Sequence, residues 1–204
     1  MQYILWRRQM NRSASVSRKT KETNIDLKLV IDGTGKGTVK TGVGFLDHML
    51  DLFKKHGLFD LSISATGDLH VDGHHTVEDI GIVLGQAINS AIGEKKSIIR
   101  YGNATIPMDE ALAMVALDLG GRPYLVYDVD FKNERVGEMD TELFKEFFQA
   151  IATNANMNLH IRMLSEGNNH HMIEAVFKAF AKAMDMATSQ DNRISDVMST
   201  KGII

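Results

Sequence analysis

The chain has 204 residues, 44% of them apolar and 24% charged, which suits one ordinary globular domain able to bury a core. A formal net charge of −3 offers nucleic acid no global positive field, and the lack of cysteine excludes disulfides, thiolate metal sites and a thiol nucleophile. No apolar run approaches the roughly 18 residues of a membrane span, so neither a membrane nor nucleic acid is an expected partner, and a cytoplasmic location is.

At the N-terminus, MQYILWRRQM places its arginines after a short apolar patch, the reverse of a secretory leader. Residues 1–9 read as an extension ahead of Met10. Alternation of Ile25, Leu27, Leu29 and Ile31 predicts the first clear strand, and DGTGKG after it reads as a hairpin turn. A helix is expected from about Leu46 to His56 with Gly57 as its terminator. Phe59, Leu61, Ile63 and Ala65 alternate as a strand. From His74 to Ile92 the apolar positions keep helical spacing up to Gly93.

The second half repeats that order. ALAMVALDL and PYLVYDVDF read as strands separated by a Gly-Gly turn, and Asp140 or Thr141 is expected to cap a helix through about Ala155. MNLHIRM is a strand, and HHMIEAVFKAFAKAMDMA is the closing helix. The expected fold is α/β of the α+β type: a single domain, 1–204, made of two strands–helix–strand–helix repeats. They cover about 12–93 and 97–187 and pack about a pseudo-twofold axis, with a short C-terminal tail.

Each repeat opens its last helix with HHxxE: His74, His75 and Glu78 in GHHTVED, and His170, His171 and Glu174 in NHHMIEA. Residues three and four apart share a helix face, so one histidine and the glutamate can grip one ion while the other histidine aims elsewhere. Two such sets facing each other can interleave around two metals. Which histidine serves which ion is left open by the spacing. The bland interpretation is a pair of solvated helix starts, where glutamate is favoured anyway. Recurrence at matching points of a duplicated fold favours metal. Imidazole and carboxylate without thiolate suit Mn²⁺, Fe²⁺, Co²⁺ or Zn²⁺, and a ligand set this large suggests octahedral coordination, hence manganese before zinc. His48 in GFLDHML is a further candidate; His70 reads as a solvated loop residue, and His160 as either structural or site-lining.

RKTKET, GVGFLDHML, GHHTVEDIGIVLG, RYGNATIPMDEAL, LGGRPY, NLHIRMLSEGNNHHMIEAVFKAF and STKG, in this order over residues 12–202, resemble the imidazoleglycerol-phosphate dehydratase family of histidine biosynthesis. The resemblance implies a duplicated fold, two Mn²⁺ per active site, and a homo-oligomer of 24 subunits built from trimers with sites between subunits. It implies His48, His74, His75, Glu78, His170, His171 and Glu174 as metal ligands. Glu22 in TKET resembles the family's acid/base glutamate, with Glu174 a second candidate for proton transfer. His56, Arg100, Arg122, Lys178, Ser199, Thr200 and Lys201 would hold the phosphorylated imidazole substrate together with Glu22. That set is a reasonable anion site on its own chemistry, offering permanent positive charge and hydroxyl donors. Asp109 in PMDEAL is a weaker candidate for the site. Where many relatives have a histidine in EHFFQ, this chain has Glu146 in KEFFQ, at the point matching His48 under the internal repeat. A carboxylate also ligates Mn²⁺, so Glu146 is expected as a substitute ligand.

The implied reaction removes water from D-erythro-imidazole-glycerol phosphate to give imidazole acetol phosphate. The carbon-bound proton is barely acidic and hydroxide leaves poorly, so the ring must help. A ring deprotonated to a metal-stabilised imidazolate can expel the adjacent hydroxyl through a diazafulvene-like species, after which the side-chain proton becomes acidic. Two other classes use similar ligands. A dinuclear metallohydrolase would need a nucleophilic water rather than an anion clamp; a non-catalytic metal-binding assembly would need the histidines but not Glu22, Arg100, Arg122 or Lys201.

Overall fold

A computed structural model describes residues 12–204; the extension expected at 1–9 lies outside the described residues. Two four-stranded sheets share one topology. The first is ordered β1 (Ser13–Lys19), β2 (Thr23–Val30), β4 (Asp60–Gly67), β3 (Val39–Lys40), with β3 parallel to β4 and the other pairs antiparallel. In the second the order is β5 (Tyr101–Met108), β6 (Ala111–Asp118), β10 (Asn158–Ser165), β7 (Tyr124–Asp128), with β7 parallel to β10. A small hairpin, β8 (Arg135–Val136) and β9 (Met139–Asp140), is added to the second repeat.

The helices bind the halves together by exchanging partners. Helix α2 (His74–Ile92) covers β1 and β2, and α4 (Asn169–Thr188) covers β5 and β6. Helix α1 (Gly44–Gly57), from the first repeat, packs on α4, while α3 (Leu143–Asn154), from the second, packs on α2. Phe53 of α1 stacks on Phe180 of α4, and Phe147, Phe148 and Phe177 meet where α3 and α4 share one continuous core. Rings of this size dominate such a core through the apolar area they bury.

Two expectations need correction. DGTGKG does not close a hairpin between adjacent strands: it carries the chain across β4 to β3 on the far side. The Asp60 carboxylate accepts the N–H groups of Thr34 and Lys36 at 2.8 and 2.9 Å, and a Cβ on Gly37 would lie 2.0 Å from Leu61 O. The glycines therefore serve close contact with β4 as well as turning. Gly120-Gly121 separates β6 from β7 as expected, and the two strands are not neighbours, because β10 lies between them. Neither Asp140 nor Thr141 caps α3. Asp140 pairs with Arg135, the Thr141 hydroxyl donates to the carbonyls of Asn133 and Glu134, and the helix starts after Glu142.

Candidate active site

The first constellation forms where α1 and α4 lie side by side. His48 Nε2 and His170 Nε2 each stand 3.1 Å from Glu174 Oε1. Asn168 starts α4 by accepting the His170 N–H at 2.9 Å, which sets the first turn, and Phe45 supports the His170 ring edge-on. Lys178, one turn further along, donates from Nζ to Glu174 Oε2 at 2.6 Å. Burial pushes the Glu174 carboxyl up, but bonds from Lys178, His48 and His170 outweigh it and hold the group at about 2. It is thus an anion throughout the neutral range. The three facing ligand atoms of His48, His170 and Glu174 all lie within 4.8 Å of one another, a separation suited to one cation.

His171 points to a second constellation. Its Nδ1 donates to Glu110 Oε2 at 2.9 Å, and its Nε2 lies 3.8 Å from Asp109 Oδ2. Asp109 and Glu110 form the turn between β5 and β6, with Asp109 in the left-handed region at φ 49°. Glu110 also accepts the Asn168 N–H at 2.6 Å; that bond first, and His171 second, bring its carboxyl down to about 2. Asp109 thus belongs beside His171, while Glu110 was not singled out by any sequence motif.

The first HHxxE motif is more open. His74 Nε2 stands 4.0 Å from Glu78 Oε2, and His75 Nδ1 donates to Asp68 Oδ2 at 3.0 Å. Asp68 is a second residue that pattern reading missed. Its bond raises the His75 pKa, burial opposes this, and the charge of Glu22 adds to the rise. Glu22 therefore lies near His75, on the β1–β2 turn where Thr20 Oγ1 accepts the N–H groups of Glu22 and Thr23. Among the described residues, no group of three close ligands combines the two HHxxE motifs. The interleaving expected of them does not occur within one chain.

Glu146 is half-buried on α3 and forms no hydrogen bond or ion pair among the described residues. Its setting is nevertheless the counterpart of His48. Helix α3 runs beside α2 in the same direction, Gly73 facing Leu143, Gly81 facing Phe147 and Gly85 facing Ile151, as α1 runs beside α4. Glu146, His74 and Glu78 thus correspond to His48, His170 and Glu174.

The anion-binding candidates divide. Arg100, Arg122, Ser199, Thr200 and Lys201 line one cavity of about 710 Å³. Asp118 holds the Arg100 guanidinium by Nε at 2.6 Å and Nη2 at 2.9 Å, and Nη1 donates to Met198 O at 2.6 Å, which ties the C-terminal tail to the cavity. His56 and Lys178 are not part of this lining. They lie along α1 and α4 instead, where burial and then the charges of Lys178 and Lys182 lower the His56 pKa. His70 and His160 are exposed, and neither enters the constellations above.

Comparison with known proteins finds relatives along nearly the whole chain. The family model for imidazoleglycerol-phosphate dehydratase matches residues 41–184. The chain is 62% identical over 195 residues to the imidazoleglycerol-phosphate dehydratase of Acetivibrio thermocellus, covering 96% of this chain and all of that one. It is 59% identical over 193 residues to that of Geobacter sulfurreducens, covering 95% and 99%. The crystal structure of the Staphylococcus aureus dehydratase superposes with a TM-score of 0.80 at 43% identity, over 88% of this chain and 99% of that one. The Pyrococcus furiosus structure, in complex with (S)-C348, gives 0.80 at 40%, over 93% and 100%. With its duplicated sheets, paired HHxxE helices and near-complete alignment to these relatives, the chain belongs to the imidazoleglycerol-phosphate dehydratase family and is a hydro-lyase of histidine biosynthesis.

Proposed function

We propose that the chain removes water from D-erythro-imidazole-glycerol phosphate, giving imidazole acetol phosphate, with two Mn²⁺ per active site. The observation that carries the metal is the convergence of His48 Nε2, His170 Nε2 and Glu174 Oε1 within 4.8 Å. Two imidazoles and a carboxylate are a fitting donor set for manganese. His171 belongs to the same half of the ligand set. His74, His75, Glu78 and Glu146 make up the other half, on α2 and α3. Because the halves are separate within one chain, we place the complete site between subunits of a cytoplasmic homo-oligomer, a 24-subunit assembly of trimers. No described helix is long and apolar enough to cross a membrane.

Held by these histidines and glutamates, manganese would supply positive charge to the substrate's ring, which would make its N–H a stronger acid. The protein's own groups then divide the work. Arg100, Arg122, Ser199, Thr200 and Lys201 bind the phosphate and fix the distance from it to the ring, with His56 and Lys178 nearer the α4 histidines. Glu22 stands on an exposed turn near His75, which supports it as the group that takes the side-chain proton or delivers one to the departing hydroxyl. Glu174 is held ionised by Lys178, so its contribution is a fixed negative charge more than a stored proton.

Assay of imidazole glycerol phosphate with chelator-treated protein tests this. Turnover is expected to vanish on metal removal and to return with Mn²⁺ better than with Mg²⁺, which favours oxygen ligands. Full activity in metal-free protein overturns the metal reading.

A further inference from the structure

Each HHxxE motif has a second histidine, and in each case its ring is held from behind. His75 Nδ1 donates to Asp68 at 3.0 Å and His171 Nδ1 to Glu110 at 2.9 Å. The two carboxylates are not counterparts under the internal repeat. Asp68 follows β4, whereas Glu110 lies on the hairpin between β5 and β6, whose equivalent in the first repeat carries Glu22. The same contact is thus reached from two unrelated places.

We propose that Asp68 and Glu110 are positioning residues that lock His75 and His171 in the tautomer with Nδ1 protonated and Nε2 free to ligate. The proposal rests on the metal reading above but concerns side chains outside that ligand set. A neutral imidazole protonates one nitrogen, and a carboxylate at Nδ1 selects that nitrogen, fixes the ring plane and leaves the Nε2 lone pair available. His48 and His170 already present Nε2 towards Glu174, so the lock makes the second histidines offer the same atom.

Two details separate orienting from ligating. Glu110 has an N–H on each oxygen, Asn168 on Oε1 and His171 on Oε2, so both atoms already have partners. Asp68 is mostly buried, and among the described residues its Oδ1 has no hydrogen-bond partner, nor does the buried hydroxyl of nearby Thr76. A buried oxygen without a partner is unfavourable, so Asp68 is poorly explained as a stabilising surface acid. Its Oδ2 is committed to His75.

The test uses metal-free full-length protein labelled with ¹⁵N at histidine, studied at alkaline pH where the rings are neutral, with His75 assigned by its loss in His75→Gln. In the parent, His75 is expected to carry its proton on Nδ1 alone. Asp68→Ala should mix the two tautomers and weaken Mn²⁺ binding, measured by calorimetry, by about 10–100-fold. The near-isosteric Asp68→Asn retains an acceptor oxygen and the packing, so it should fold and show a smaller loss. The His171 resonances should not move in either variant, which a general structural disturbance would not spare. Unchanged His75 tautomers, or mixed tautomers with parental Mn²⁺ affinity, overturn the proposal. A parent with the expected tautomer that binds no Mn²⁺ instead removes the metal reading on which the proposal rests.

Discussion

Lys178 Nζ donates to Glu174 Oε2 at 2.6 Å, one turn along α4, with both side chains largely buried. The lysine is therefore committed to a carboxylate before any substrate arrives. In Lys178→Met, Glu174 keeps its histidine contacts but loses its permanent cation, at a cost of about 1–3 kcal/mol in metal-free protein. The pH dependence has a definite sign. Glu174 sits at about 2 against an ordinary 4.5, so its stabilisation is complete above 4.5 and is lost as pH falls towards 2. The gap in melting temperature between parent and variant should be widest near neutrality and close on acidification through that window. A gap that is constant with pH would show the lysine to act by packing alone.

Arg100 and Lys201 reach the same cavity from opposite ends of the second half of the chain, with Arg100 aimed by Asp118. Replacing either by alanine should raise KM about 10–100-fold, the scale of one charge-assisted hydrogen bond to phosphate. Metal content should stay parental, since neither side chain belongs to a histidine constellation. Unchanged KM in both variants would remove the phosphate from this cavity.

What the sequence makes legible follows from how local each signal is. Helix α2 has the expected bounds because its apolar spacing is long and Gly93 ends it with a positive φ. Strand β1 is silent because SASVSRK offers only Ala14 and Val16 to the core, and β5 because YGNATIPM contains both glycine and proline. Pairing order is silent too: β3 has two residues, and its place beside β4 is chosen by tertiary contact. At the site, HHxxE is visible because helical spacing puts its members on neighbouring positions. Asp68 and Glu110 reach their histidines through the fold: Asp68 lies outside every motif, and Glu110, although inside PMDEAL, is 61 residues from the histidine it meets.

Helices α2 and α3 touch through glycine. A Cβ added to Gly81 would lie 2.7 Å from the main-chain Phe147 O and 2.9 Å from the Ala150 methyl, so the glycine meets both the backbone and a side chain of α3 with no slack. Gly81→Ala should force the helices apart and destabilise the protein by about 1–3 kcal/mol, outweighing alanine's better helix propensity. Thermal unfolding checks this; a stabilised variant would show that α3 can shift freely.

That same contact places Glu146. On the other side of the pseudo-twofold, His48 of α1 meets His170 and Glu174 of α4; Glu146 is the α3 residue at the matching point of the α2–α3 pair, although its carboxylate does not form a close ligand group with His74 and Glu78 within one chain. Phe147 and Phe148, fully buried, anchor the helix and prevent it from rolling Glu146 out to solvent. Glu146 is half-buried and has no protein partner among the described residues, and burying a carboxylate unpaired is unfavourable unless something neutralises it. A divalent cation would do so, and oxygen ligands suit Mn²⁺ as well as nitrogen does. Glu146→Ala should therefore weaken Mn²⁺ binding, with stoichiometry at limiting metal dropping from two towards one per chain. Glu146→His supplies a nitrogen at the same point and should retain most of both metal and activity. If Glu146→Ala binds two Mn²⁺ as tightly as the parent, the glutamate is only a surface acid on an amphipathic helix.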